Sequence, residues 1–147
     1  MEQFFDPQML GSAAQQAGRL IVAALFTGAI GYERERKDQP AGLRTHMLVG
    51  IGACLFTLLM TLLIGRFDSD DVRADPVRVV EAITSGVAFL AAGVIIQARG
   101  RVHGLTTGAS LWLAGAIGLG AGLGEYLLSF IAVVLTLVVL RVIKAFE

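Results

Sequence analysis

Residues 47–64 read Met-Leu-Val-Gly-Ile-Gly-Ala-Cys-Leu-Phe-Thr-Leu-Leu-Met-Thr-Leu-Leu-Ile, 18 residues without a charge. A membrane-crossing helix needs roughly 17 to 25 predominantly apolar residues, so this stretch alone predicts a span. Outward from it the pattern repeats. Charge-free runs cover 82–98, 104–124 and 126–140, the last extendable to 143 if Arg141 snorkels to the interface. Upstream, 20–32 is apolar but short, so a span there must begin near Ser12 and carry Gln15, Gln16 and Arg19 in its outer turns. No small-x-small cleavage pattern follows this run, and a charged block comes directly after it, which argues against a secretory signal. The expectation is an all-α, polytopic membrane protein, a single compact bundle of five transmembrane helices over about 12–32, 43–64, 77–98, 104–124 and 126–143.

Composition agrees. The chain is 55% hydrophobic and only 16% charged, with a mean hydropathy of +0.71. A soluble domain devotes about 25% of its residues to charge, so the composition argues against a cytosolic globular enzyme. Twelve basic against twelve acidic residues leave no net field to hold nucleic acid. Cys54, the single cysteine, lies inside the apolar run and reads as a packing residue. Eight basic residues (Arg34, Arg36, Lys37, Arg44, Arg99, Arg101, Arg141, Lys144) fall on one side of a five-span topology and four (Arg19, Arg66, Arg73, Arg78) on the other. The positive-inside rule then places the N-terminus outside and the C-terminus in the cytoplasm. Asp75-Pro76 offers an N-cap followed by proline at the first helical position, and Gly122-Leu-Gly-Glu125 joins the last two spans in a tight hairpin.

Two patterns stand out against this frame. In the fourth span Gly104, Gly108, Gly115, Gly118 and Gly122 share one helix face, with Leu111 filling the gap. Absent side chains let helix backbones approach, so the face predicts helix packing within the bundle or between protomers; a glycine-lined path is the competing reading. Gly120 lies off this stripe. Shorter versions occur at Ala24, Gly28 and Gly31, and at Ala82, Ser85, Ala92 and Gly93 around Phe89. The second pattern is charge at the span ends. Arg44 and His46 open the second span, where a cation opposes the positive end of the helix dipole, so a carboxylate such as Glu33 is the expected partner of Arg44. His46 and His103 lack the companion ligands of a metal site, and no phosphate loop or nucleophile elbow occurs. No metal, cofactor or enzymatic activity is therefore expected.

These charged corners carry a resemblance. Gly31-Tyr-Glu-Arg-Glu-Arg36, Pro40-Ala-Gly-Leu-Arg-Thr-His-Met-Leu-Val49, Asp75-Pro-Val-Arg78, Ser85-Gly86, Phe89-Leu90 and Gly104-Leu-Thr-Thr-Gly-Ala-Ser-Leu-Trp112 occur in order over residues 15–140. Together they resemble the MgtC/SapB family of bacterial inner-membrane proteins, with Gln39 standing where that family commonly has a basic residue. The resemblance implies five membrane helices without the cytoplasmic C-terminal domain that many members carry. It also implies a link to magnesium-limited growth and virulence, and inhibition of the F-type ATP synthase through its membrane sector. The matched motifs single out a cytoplasmic-side cluster of Glu33, Arg34, Arg44, Thr45, His46, Arg101, Thr106 and Thr107, and an outer pair, Asp75 and Arg78. Two functions compete: a regulatory protein that binds a membrane partner and adjusts ion or proton homeostasis, alone or as a homo-oligomer, and a small oligomeric transporter or channel for an ion or small solute. Every charge lies at a span end, whereas a transporter buries ionisable groups near the bilayer middle, which favours the regulator.

Overall fold

A computed structural model of the chain describes residues 7–67, 75–98 and 101–142. Five helices follow one another: α1 (Pro7–Glu35), α2 (Leu43–Phe67), α3 (Pro76–Gly93), α4 (Leu105–Leu123) and α5 (Tyr126–Val142). Between α3 and α4 lies a two-stranded ribbon, β1 (Ile96–Ala98) antiparallel to β2 (Arg101–His103), pairing Ile96 with His103 and Ala98 with Arg101. Among the described residues three helices are long and apolar enough to cross a membrane: α2 over Leu43–Gly65, α3, and α4. α5 is apolar but shorter over Tyr126–Arg141, and α1, at 29 residues, carries Arg19 within its length. The all-α membrane fold is thus established, with five helices of which three qualify as spans on length and composition.

The sequence expectation ran α3 on to residue 98, and the ribbon corrects it. The helix stops at Gly93, and the β-branched run Val94-Ile95-Ile96 leads into β1, an extended conformation that branched side chains favour. The start of α3 follows the expectation. Asp75 is the N-cap, its carboxylate accepts from the Val77 N–H at 3.0 Å, and Pro76 opens the helix. At the α4–α5 hairpin Gly124 takes φ +89, and the N–H groups of Gly124 and Glu125 close back onto the carbonyls of Ala121 and Gly120 at 3.1 and 2.9 Å. Only glycine adopts that backbone freely, which is why the turn is so short.

α4 is the hub. Its buried residues include four of the five stripe glycines together with Ser110, Leu111, Ala114 and Ile117. The stripe is a packing surface inside the bundle, and it serves two neighbours. A Cβ on Gly108 or Gly115 would press on Ala91 O and Val87 of α3, whereas one on Gly118 or Gly122 would meet Gly50 or Thr57 and the Cys54 carbonyl of α2. Gly50 is itself wedged against Thr27 of α1, so α1, α2 and α4 cross at nearly bare backbone. Gly28 and Gly31 bring α1 onto Met47 and Leu43 of α2, as their spacing implied. Gly120, off the stripe, is packed as well: a Cβ there would stand 2.5 Å from Ser129 Oγ of α5. One expectation fails. The small residues of α3 around Phe89 point away from the bundle, Phe89 being 81% exposed, because α4's glycine grooves receive the branched side chain of Val87 instead.

Arg19 decides how α1 meets the hairpin. Its Nη1 donates to the Gly122 carbonyl at 2.7 Å, placing a cation at the negative end of α4. Large apolar side chains such as Leu127 and Leu135 on α5 and Phe89 on α3 are more than half exposed, the outward apolar surface of a protein whose solvent is lipid.

Candidate functional site

The charged end of the bundle is built where α1 runs out, the short connection turns, α2 begins, and α4 begins. Gly31 permits the approach: a Cβ there would lie 2.8 Å from Leu43 Cα and 2.9 Å from both Gly42 O and His46 Cβ. Two and three residues later Glu33 and Arg34 are carried into the interior, at 3% and 5% exposure. Glu33 Oε1 sits 2.6 Å from Lys37 Nζ one turn on, and Oε2 lies 3.6 Å from Arg34 Nη1. Neither carboxylate oxygen receives a well-directed hydrogen bond among the described residues, so charge more than directional bonding holds this cluster. Lys37 also donates to the Leu140 carbonyl at 3.3 Å, tying the cluster to the end of α5.

The expected Glu33–Arg44 pair is not made. Arg44 and Thr45 are exposed on α2, and Arg44 has no ion pair among the described residues. The carboxylate that serves the positive end of α2 is Glu35, whose Oε2 accepts from the Leu43 N–H at 2.7 Å. Along a helix, residues two apart face nearly opposite ways, so with Glu35 reaching α2, Glu33 is turned away from it.

Arg34 Nη2 donates to Gln39 Oε1 at 2.9 Å and to Thr107 Oγ1 at 3.4 Å, bridging α1, the connection and α4. His46, fully buried, spans from α2 to α4: Nδ1 is 2.9 Å from the Gly42 carbonyl, and Nε2 is 3.0 Å from Ser110 Oγ. A carbonyl only accepts, so Nδ1 carries the proton. Ser110 Oγ also lies 2.8 Å from the Thr107 carbonyl, so one hydroxyl proton faces two acceptors, the His46 nitrogen and that carbonyl. Of the residues singled out by sequence, Glu33, Arg34, His46 and Thr107 therefore meet in one network, and Thr106 stands beside it on the exposed side of α4. The side chain of Arg101 lies outside the described residues. Asp75 and Arg78 are far from the cluster at the start of α3, 3.7 Å apart and well exposed, where the pair contributes little beyond the cap.

Sequence reasoning missed Ser110, Gln39 and Lys37 as members. Ser110 had a signal, lying one helical turn after Thr107 and Thr106 on the face that meets α2. Gln39 stood out only as a departure from the family pattern, and the connection's shape is what brings it to Arg34. Thr27 and Thr57, buried at the middle of the bundle, spend their hydroxyls on the Ala23 and Ala53 carbonyls of their own helices, at 2.7 and 2.8 Å.

The tract that builds this network, from the end of α1 through the start of α4, is the part of the chain richest in the motifs that carried the resemblance. The MgtC family profile matches residues 20–147, nearly the whole of it. The chain belongs to the MgtC family. Among members it is 42% identical over 125 residues to "Putative magnesium transporter YhiD" of Escherichia coli (strain K12), covering 84% of this chain and 58% of that protein. It is 40% identical over 111 residues to "Protein MgtC" of Brucella abortus (strain 2308), covering 76% and 44%. To "Protein SrpB" of Synechococcus elongatus it is 36% identical over 155 residues, covering 100% and 84%. The chain thus spans little more than half of the YhiD protein's length and less than half of the Brucella protein's. No solved structure matches it significantly. As an MgtC-family protein with three helices fit to cross a membrane, it is a membrane protein.

Proposed function

We propose that this protein is a regulator of ion homeostasis under magnesium limitation, acting in the bacterial inner membrane through contact with another membrane protein and performing no chemistry of its own. In this reading all five helices span, the N-terminus faces outward, and the Glu33–Arg34–His46 end lies at the cytoplasmic surface. The observation that carries it is the disposition of polar groups. The fully buried charges, Glu33 and Arg34, lie together at one end with Lys37, and the partly buried Arg19 is bonded to the Gly122 carbonyl at the other, while Thr27 and Thr57 in the middle return their hydrogen bonds to their own helices. A conduit for a divalent cation needs ionisable or carbonyl ligands near the bilayer middle, and the tight α1–α2–α4 crossing at Gly50 and Gly118 occupies that region with packed backbone. The magnesium link rests on the family and on the names of its members. The membrane sector of the F-type ATP synthase is the partner the family resemblance suggests.

The second reading, a small oligomeric transporter, is favoured by the name of the Escherichia coli relative. One experiment separates the two. The protein alone is reconstituted in liposomes and assayed for Mg²⁺ and proton flux, while the same gene is tested for rescue of a deletion strain in low-magnesium medium with co-purification from its membranes. Rescue with a co-purifying membrane partner and no flux supports the regulator. Flux from the protein alone overturns it.

A further inference from the structure

We infer that the protein holds an anionic phospholipid between α4 and α5, with the lipid phosphate at the start of α4 beside Arg34. α4 begins at Gly104, whose φ of +87 and missing side chain leave the helix without a side-chain cap. The first amides of a helix have no partner within it and form the positive end of its dipole. The residues that carry them, Leu105, Thr106 and Thr107, line a cavity of about 460 Å³ together with Arg34, Gln39 and His103. The Arg34 side chain, at 6% exposure, lines this cavity as a buried guanidinium held in place by Gln39 and Thr107. Its charge is poorly matched. Lys37 claims Glu33 at 2.6 Å while Arg34 stands at 3.6 Å, so two cations share one carboxylate and, among the described residues, the cavity's lining holds the Arg34 guanidinium and no carboxylate. Helix amides, a buried guanidinium and the Thr106 hydroxyl form a donor set that recognises a phosphate oxyanion, the Thr107 hydroxyl being turned to Gln39.

The opposite wall decides which phosphate. It is Val139 and Leu140 of α5, an unsuitable lining for a free, fully hydrated ion. Thr106, Val139 and Leu140 are shared with a second cavity of about 340 Å³ that continues between α4 and α5, walled by Ala109, Leu113 and Leu135 and nearly devoid of polar surface. From Thr106 to Leu113 the trough is about 10 Å long at 1.5 Å per residue, a length that accepts part of an acyl chain. A polar pocket that is lined by the Arg34 guanidinium and opens into an apolar trough fits one amphiphile, a phosphate headgroup with its chain attached. The site is independent of whether the protein regulates or transports.

The test uses the full chain, delipidated in a neutral detergent, with phosphatidylglycerol, phosphatidylcholine of the same acyl chains, and inorganic phosphate as probes. Retention is read by native mass spectrometry and binding by thermal shift. Phosphatidylglycerol should bind at least tenfold more tightly than phosphatidylcholine, and inorganic phosphate at equal concentration should give no shift. Arg34→Gln removes a buried guanidinium and threatens folding, so two exposed positions carry the proof. Ala109→Phe fills the trough and leaves the polar pocket intact; it should abolish lipid retention in a protein that melts normally. Thr106→Val removes the hydroxyl common to both cavities at constant size and should weaken phosphatidylglycerol severalfold. Unchanged retention in Ala109→Phe, equal binding of the two lipids, or stabilisation by inorganic phosphate alone would each overturn the assignment, the last by making it a free-oxyanion site.

Discussion

Replacing Gly118 by alanine should separate two helices. A Cβ at this position would come within 2.8 Å of Gly50 Cα and 2.9 Å of Gly50 C, and closer still to the Gly50 carbonyl oxygen. Carbon atoms rest about 3.5 to 4.0 Å apart, so α2 and α4 must part locally by roughly 1 Å. The obstructing atoms are backbone, and Gly50 is backed by Thr27 of α1, so no side chain can rotate away. Overpacking of this kind costs about 1 to 3 kcal/mol, and the upper half of that range applies where nothing yields. Alanine gains about 1 kcal/mol over glycine in helix propensity, which leaves a net loss of about 1 to 2 kcal/mol. Gly86→Ala on α3 is the control. Nothing lies within 4 Å of its Cβ, so it keeps the propensity gain and should be neutral or more stable by up to about 1 kcal/mol. The assay is equilibrium unfolding in mixed micelles followed by helical circular dichroism. A gap of about 1 to 3 kcal/mol between the two variants is expected. Equal stabilities would refute the claim that α2 and α4 meet at bare backbone.

Further outcomes follow from the ends of the helices. Glu33→Gln strands two cations and should cost about 3 kcal/mol, the low end for breaking a buried pair, because Lys37 can turn to solvent. In double-mutant cycles for thermal unfolding it should couple with Lys37→Gln and be additive with Arg44→Gln; coupling to Arg44 instead would contradict the arrangement seen here. Arg19→Gln loses a charge-assisted bond to the Gly122 carbonyl and should lower stability by roughly 1.5 to 3 kcal/mol, checked by urea titration of the purified protein, with no loss pointing to a bond without consequence. Asp75→Ala should cost about 1 kcal/mol through the lost cap while Asp75→Asn stays near the parent, and Arg78→Ala should change melting little because its pair with Asp75 is exposed.

The membrane helices, the cap at Asp75, the glycine turn at Gly124 and the packing role of the α4 stripe were legible in the linear pattern. Each depends on neighbours within a few residues: unbroken apolar length, a capping carboxylate, a residue free to take positive φ, or a repeat that returns to one helix face. Two of the stripe's details were not legible. Periodicity shows that Gly115 and Gly118 share a face, but not that one meets Val87 of α3 and the other Gly50 of α2, nor that Gly120, off the stripe, is pressed by Ser129 of α5. The end of α3 was misread because an uncharged run is compatible with helix and strand alike, and only the partner strand at 101–103 resolved it.

The charged end divides the same way. The residue types were visible: Glu33, Arg34, His46 and Thr107 were singled out and do meet. Their pairing was decided in three dimensions. Whether Glu33 or Glu35 answers the positive end of α2 depends on the rotation of α1 about its axis, which Gly31 sets by letting α1 lie against Leu43. That rotation sends Glu35 to α2 and turns Glu33 inward to Lys37 and Arg34. Apolar length is a property of the chain taken one segment at a time, whereas the partner of a buried charge is a property of how two segments face each other, and only their packing specifies that.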